Sequence, residues 1–168
     1  NDNIYIWNKS GALLGQFSID LPSDIDPYQT SLLFSADEKS LMLSAPSEIV
    51  VIDIASGQVI KTLRAGRIIN GMAIHPAEDL LAVSYGAFVE IYMLSTRQLL
   101  TTLTVSSQYD GYGGGVAFSS DGMLLFTPWS YPESNQIWRT SDWTPISFQY
   151  PLDLSMPESL NADTFIIN

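Results

Sequence analysis

The segment "LPSDIDPY" sets Asp24 and Asp26 two residues apart, a spacing at which two carboxylates can share a cation. A calcium loop needs further oxygen ligands at fixed offsets and a glycine at its sharp turn. Neither is present, so the segment reads as a proline-flanked solvated turn and no metal site is expected. His75, the only histidine, precedes Pro76 in "IHPAED". A zinc site or a Ser-His-Asp triad needs partners that a lone histidine in a cysteine-free chain lacks, and His75 reads as a turn residue. "VSSQYDGYGGG" brings together Gly113, Gly114 and Gly115. A phosphate cradle requires a helix starting just after such glycines and a nearby cation. An apolar strand, "VAFS", follows instead, so the glycines read as a flexible turn that permits positive φ. Carboxylate pairs serve glycoside hydrolysis, but the acids here are spread over many turns and no pair stands out. No catalytic residue and no cofactor is expected, and the chain is not expected to be an enzyme.

The 168 residues include 18 acidic and 7 basic side chains, a formal charge of −11. A surface of that sign repels nucleic acid and anionic membranes on average. Apolar residues at 46% and charged residues at 15% place the chain among globular proteins. The absence of cysteine excludes disulfides and thiolate metal sites, and leaves the compartment open, with the cytoplasm as the default. No apolar run approaches the roughly 18 residues of a membrane span. The chain begins at Asn1 without the basic and apolar regions of a signal peptide, and a segment upstream is left open.

Elements that would position any working residues emerge from self-similarity. "SLLFSADEKSLMLSA" from Ser31, "GMAIHPAEDLLAVSY" from Gly71 and "GVAFSSDGMLLFTPW" from Gly115 align, with Phe34, Ile74 and Phe118 in one column 40 and 44 residues apart. Between them stand "NIYIWNKSGALLGQF", "IVVIDIASGQVIKTL", "VEIYMLSTRQLLTTL" and "NQIWRTSDWTPISF", with Trp7, Ile52, Tyr92 and Trp138 in a second column. Short runs of β-branched and aromatic residues between Gly, Ser, Asn, Asp and Pro read as strands joined by tight turns. Four strands per repeat of about forty residues describe a propeller blade.

These columns, the "FSxDG"-like turns and the aromatic residue before "SG" resemble the WD-repeat β-propeller family over essentially the whole chain. The resemblance implies an all-β fold of four-stranded antiparallel blades, about four blades' worth. The Trp-Asp dipeptide survives only as Trp7-Asn8, Ile52-Asp53, Tyr92-Met93 and Trp138-Arg139, and the buried Asp-His-Ser-Trp network of such repeats is not expected. Looser propeller families with similar strand spacing stay open. Blades are expected at about 30–65, 70–105 and 114–150, with an outer half-blade at 1–18 and an inner half-blade at 151–168. Three arrangements compete: a closed four-bladed ring, a homodimer through a shared blade, and a portion of a larger propeller, which is the one favoured.

In such a blade the inter-blade loops and those joining second to third strands emerge on one face. That gathers Asp20 with Asp24, Asp26, Tyr28, Tyr85, Tyr109, Asp110, Tyr112, Trp129, Tyr131 and Glu133 on one rim. Tyrosine and tryptophan give rigid contact area and carboxylates pair with basic groups, so the rim is expected to bind a basic or mixed protein or peptide as a scaffold. The competing functions are a propeller enzyme or small-ligand or cation binder that uses the central channel, and a regulatory domain of a larger signalling protein.

Overall fold

Runs such as "EIVVID" and "FVEIYM" are rich in β-branched and aromatic residues, whose side chains suit a pleated surface and lose rotamer freedom in a helix. The computed structural model describes residues 2–19, 31–35, 37–45, 47–64, 66–105, 114–128 and 135–146. All regular structure among them is β. The inner half-blade expected at 151–168 lies outside the described residues.

The first sheet pairs β1 (Asp2–Trp7) with β2 (Leu13–Ile19). The second is a four-stranded antiparallel meander of β3 (Leu32–Phe34), β4 (Ser40–Ala45), β5 (Glu48–Asp53) and β6 (Val59–Arg64). The third has the same order in β7 (Gly71–Ile74), β8 (Leu80–Tyr85), β9 (Phe88–Met93) and β10 (Gln98–Thr104). The fourth repeats it in β11 (Ala117–Phe118), β12 (Leu124–Thr127), β13 (Gln136–Arg139) and β14 (Pro145–Ile146). This is the all-β architecture of a partial β-propeller. The chain divides into two compact units, Asn1–Ile69 and Asn70–Asn168.

Register matches the sequence columns. Ile52, Tyr92 and Trp138 stand directly opposite Leu41, Leu81 and Leu125, respectively. Across the next strand pair, Trp7, Ile52 and Tyr92 face Leu13, Val59 and Leu99, and in each case the register then slips by one residue. The extra residues of these three bulges are Leu14, Ile60 and Leu100, all exposed. A bulge at one place in three sheets bends each outermost strand in the same way.

In the first unit Leu41, Leu43 and Ile52 form a core cluster, with Ile4 of β1 and Val50 and Ile54 packed against it. In the second unit the third and fourth sheets share one core. Ala73, Leu80, Ala82, Val89, Ile91 and Leu103 of the third sheet pack with Leu125 and Trp138 of the fourth. Innermost strands approach most closely where Gly71 meets Gly115: a Cβ on Gly71 would lie 2.7 Å from the Gly115 Cα. A Cβ on Gly114 would lie 2.2 Å from the Pro128 carbonyl oxygen. Gly71 and Gly114 are therefore needed for space, since neither has positive φ.

In each four-stranded sheet the turn between the first two strands is locked from one sequence column. Ser35 Oγ donates to Asp37 Oδ1 at 2.7 Å and accepts from the Ser40 N–H at 2.9 Å. Ser119 does the same with Asp121 at 2.6 Å and the Leu124 N–H at 3.0 Å. His75 holds the equivalent column. Its Nδ1 accepts from the Ala77 N–H at 3.2 Å and the Glu78 N–H at 2.8 Å, which leaves the proton on Nε2 for donation to the Gly122 carbonyl at 2.9 Å. Its ring also meets Phe118 edge-on, with centroids 5.0 Å apart. His75 is thus a turn residue, as its sequence position implies, and also a buried tie between the third and fourth sheets.

Third-to-fourth-strand turns close with an N–H donated from the fourth residue on: Gly57 to Asp53, Arg97 to Met93 and Trp143 to Arg139. That residue is left-handed in all three, with φ of 67°, 64° and 56°. Arg97→Gly, at an exposed site, is expected to raise stability by about 0.5–1 kcal/mol, because relief of left-handed strain exceeds the entropy glycine adds to the unfolded chain. A higher midpoint in urea denaturation checks this. Gly122 is left-handed too, and a Cβ there would lie 2.3 Å from ring atoms of His75. Gly122→Ala is expected to cost more than about 2 kcal/mol, from strain and collision together. A double-mutant cycle with His75→Ser should recover the collision part.

Candidate functional site

Antiparallel meanders sort their connections to two ends. One end of the second unit carries the turns Ile74–Leu80, Met93–Gln98, Ser119–Leu124 and Arg139–Thr144, all short and hydrogen-bonded. Asp121 and Asp142 sit in these turns, and the Ser119 and Thr144 hydroxyls, followed by backbone N–H groups, hold their carboxyls below the usual range. In the first unit Asp37 and Asp53 are lowered in the same way by the Ser35 and Ser56 hydroxyls. These acids are occupied in local turns, exposed at Asp37, Asp121 and Asp142 and half-buried at Asp53.

At the opposite end of the second unit, the chain leaves β10 at Val105 and returns at Gly114, and it leaves β12 at Pro128 and returns at Asn135. The bases of these connections are pinned. Ser84 Oγ donates to the Gly114 carbonyl at 3.0 Å, and the Val105 N–H donates to the Ala87 carbonyl at 2.8 Å. The Trp138 indole N–H donates to Thr127 Oγ1 at 3.4 Å, and Thr127 Oγ1 donates to the Gln136 carbonyl at 3.1 Å. A tryptophan-hydroxyl pair therefore exists in the column where the four-member network was not expected. Gln136 Oε1 is buried and lacks a hydrogen-bond partner among the described residues.

Of the residues anticipated on a rim, Tyr85 lies within the described structure. It is the last residue of β8, 7% exposed, and the connection after it is the two-residue turn Gly86-Ala87. The tyrosine belongs to the strand because so short a turn, with Gly86 at φ 61°, leaves no loop to carry it outward. Asp20, Asp24, Asp26, Tyr28, Tyr109, Asp110, Tyr112, Trp129, Tyr131 and Glu133 lie outside the described residues. Among the described residues no cluster of three His, Cys, Asp or Glu could hold a metal ion, and no helix is long and apolar enough to cross a membrane.

A side-chain group that the sequence did not single out joins Tyr85, Glu90 and Tyr92. Cross-strand pairing of Leu81 with Tyr92, Val83 with Glu90 and Tyr85 with Phe88 puts the three on one face of the third sheet. The Tyr92 hydroxyl donates to Glu90 Oε2. Burial first, then this bond, then electrostatic interaction with Tyr85 and Glu90 and a hydrogen bond with Tyr85 raise the phenol far above its ordinary value. The signal available in sequence was the i, i+2 spacing of Glu90 and Tyr92 on a strand.

The fold of a partial β-propeller has counterparts among solved structures. Hydrazine synthase of Kuenenia stuttgartiensis matches with a TM-score of 0.61 at 16% identity, over 81% of this chain and 38% of that one. The WD40 repeats of RRP9 and the structure of U3-55K each match with a TM-score of 0.59 at 15% identity, over 73% of this chain and 42% of theirs. At such identities the likeness is one of fold. This chain spans about two-fifths of the length of these chains. No protein-family model matches the sequence, and no curated protein sequence does.

Tyr92 supplies a test by pH. Its folded value is raised above the ordinary 10.0, so its contribution is fully present below about pH 10 and is lost as pH rises toward the folded value. Thermal melts should show the wild type losing stability above pH 10 more steeply than Tyr92→Phe, which has no proton to lose.

Proposed function

We propose that the chain is a non-catalytic scaffold that holds a protein or peptide partner on the loop-bearing ends of its sheets. The observation that supports this most is the unequal treatment of the two ends. One end is closed by short turns whose polar groups satisfy each other. Within each unit the other end is where the longer segments connect the strands, 20–30 in the first unit and 106–113 and 129–134 in the second. Binding residues concentrate on such connections when a rigid scaffold positions their bases.

These segments contain Asp24, Asp26, Tyr28, Tyr109, Asp110, Tyr112, Trp129, Tyr131 and Glu133. Aromatic groups supply contact area and the carboxylates select a basic or mixed partner, in keeping with the charge of −11. The WD40 repeats of RRP9, a structural neighbour, lend the reading their fold. The enzymatic name of another neighbour belongs to that protein.

Replacing Tyr112, Trp129 and Tyr131 together by serine is expected to weaken partner capture at least about tenfold while leaving the thermal transition in place. Partners captured from lysate by the wild type and identified by mass spectrometry supply the ligand for the titration. Unchanged affinity would sink the proposal. Loss of the folded transition would assign the three aromatics to the core.

A further inference from the structure

The turn between β1 and β2 differs from its counterparts, and the difference falls on the tripeptide Asn8-Lys9-Ser10. In the three four-stranded sheets the turn after the third strand runs from Asp53, Met93 or Arg139 to a left-handed residue four positions on. Ser56, Thr96 and Asp142, three positions on, each accept from the N–H two residues further along. The first turn is one residue shorter. Gly11, three positions after Asn8, is its left-handed residue, with φ 81°, and the Gly11 N–H donates to the Asn8 carbonyl at 2.9 Å. The shortening puts the hydroxyl two positions after the asparagine instead of three. It thereby makes Asn-X-Ser, the acceptor sequence for N-linked sugars.

The carboxamide of Asn8 is set for that chemistry. Its Oδ1 accepts from the Ser10 N–H at 3.0 Å, the Ser10 hydroxyl at 2.7 Å and the Ala12 N–H at 2.9 Å. Two backbone donors on one atom fix which end of the amide is oxygen. Nδ2 is the free end: it has no hydrogen-bond partner among the described residues, and Asn8, Lys9 and Ser10 are all exposed. An amide nitrogen is a poor nucleophile because the carbonyl shares its lone pair. As Nδ2 gives up a proton, negative charge moves onto Oδ1, where the three donors are in place to stabilise it.

We propose that this turn presents Asn8 as an N-glycosylation site, modified by a transferase that uses a sugar joined through its C1 to a phosphate. Nδ2 bonds to C1, and the bond from C1 to the phosphate oxygen breaks. The phosphate leaves with the electron pair, and one Nδ2 proton passes to a base of the transferase. Two donors share this chemistry, a nucleotide diphosphate sugar and an oligosaccharide on polyprenyl pyrophosphate. The site lies at the Leu13 end of β2, about 20 Å along the strand from Ile19, where the segment 20–30 departs. A sugar on Asn8 therefore leaves the loop-bearing end of this unit uncovered.

The folded chain is incubated with a soluble asparagine glycosyltransferase and UDP-glucose in one arm, and with an oligosaccharyltransferase and its polyprenyl pyrophosphate oligosaccharide in the other. Peptide mapping by mass spectrometry reads the occupancy of Asn8, and the mass of the adduct, one hexose or an oligosaccharide, identifies the donor. Sugar on Asn8 in at least one arm is expected. Ser10→Ala should slow the transfer at least about tenfold, because a donor to Oδ1 is lost, and Ser10→Thr should preserve it. Gly11→Ala leaves the tripeptide intact and its Cβ meets nothing within 4 Å, but it opposes the left-handed backbone and should slow the transfer too. An Asn8 that stays unmodified in both arms overturns the proposal, as does a Ser10→Ala variant modified at the wild-type rate. A Gly11→Ala variant modified at the wild-type rate also overturns it, because the turn is then not what presents the amide.

Discussion

The second unit rests on one steric bargain between its sheets. The third sheet turns small residues, Ala73 and Ala82, toward its neighbour, and the fourth fills the space with Leu125 and Trp138. Small against large lets two pleated surfaces interlock at interior density without forcing side chains off their rotamers. Gly71 extends the arrangement to the innermost strand, where even a Cβ would collide with the Gly115 backbone. The closeness of the sheets brings His75 within reach of a carbonyl 47 residues away and carries the Ser84 hydroxyl to Gly114. Polar ties follow from the packing.

Repetition of form has been kept here while its chemistry varied. A serine-aspartate pair closes the turn after β3 and after β11, and an imidazole closes the one after β7 by accepting from different backbone donors, the N–H groups of Ala77 and Glu78. The left-handed position after each third strand is glycine in one repeat, arginine in another and tryptophan in a third. Trp143 offsets its strained backbone by packing against the core, whereas Arg97 is exposed. The chain tolerates such drift because each turn needs one geometry and several side chains supply it.

This explains what could be read from sequence. The columns of Ile52, Tyr92 and Trp138 were legible because register on a half-buried sheet permits no one-residue slip, and cross-strand partners confirm them. The inward ring of His75 was not legible, since its partner Gly122 is remote in sequence and glycine there serves equally as a turn former. Tyr85 was misplaced by assigning a loop where two residues suffice. The glycine run after Tyr112 signalled conformational freedom, while Gly114 supplies clearance against Pro128. Specificity is harder to read, because a scaffold's partner is chosen by loops whose residues no period constrains.

The bulges at Leu14, Ile60 and Leu100 have a consequence for how such a chain survives at high concentration. A straight outer strand is a template on which a foreign strand grows, and the ordinary defences are lysine or proline along the edge. β2 and β10 carry neither. Their protection is geometric: the extra residue breaks the regular ladder of outward donors and acceptors, so a partner strand loses its register within a few residues. Straightening one bulge by deleting its extra residue would convert a quiet perimeter into a seed for fibrils.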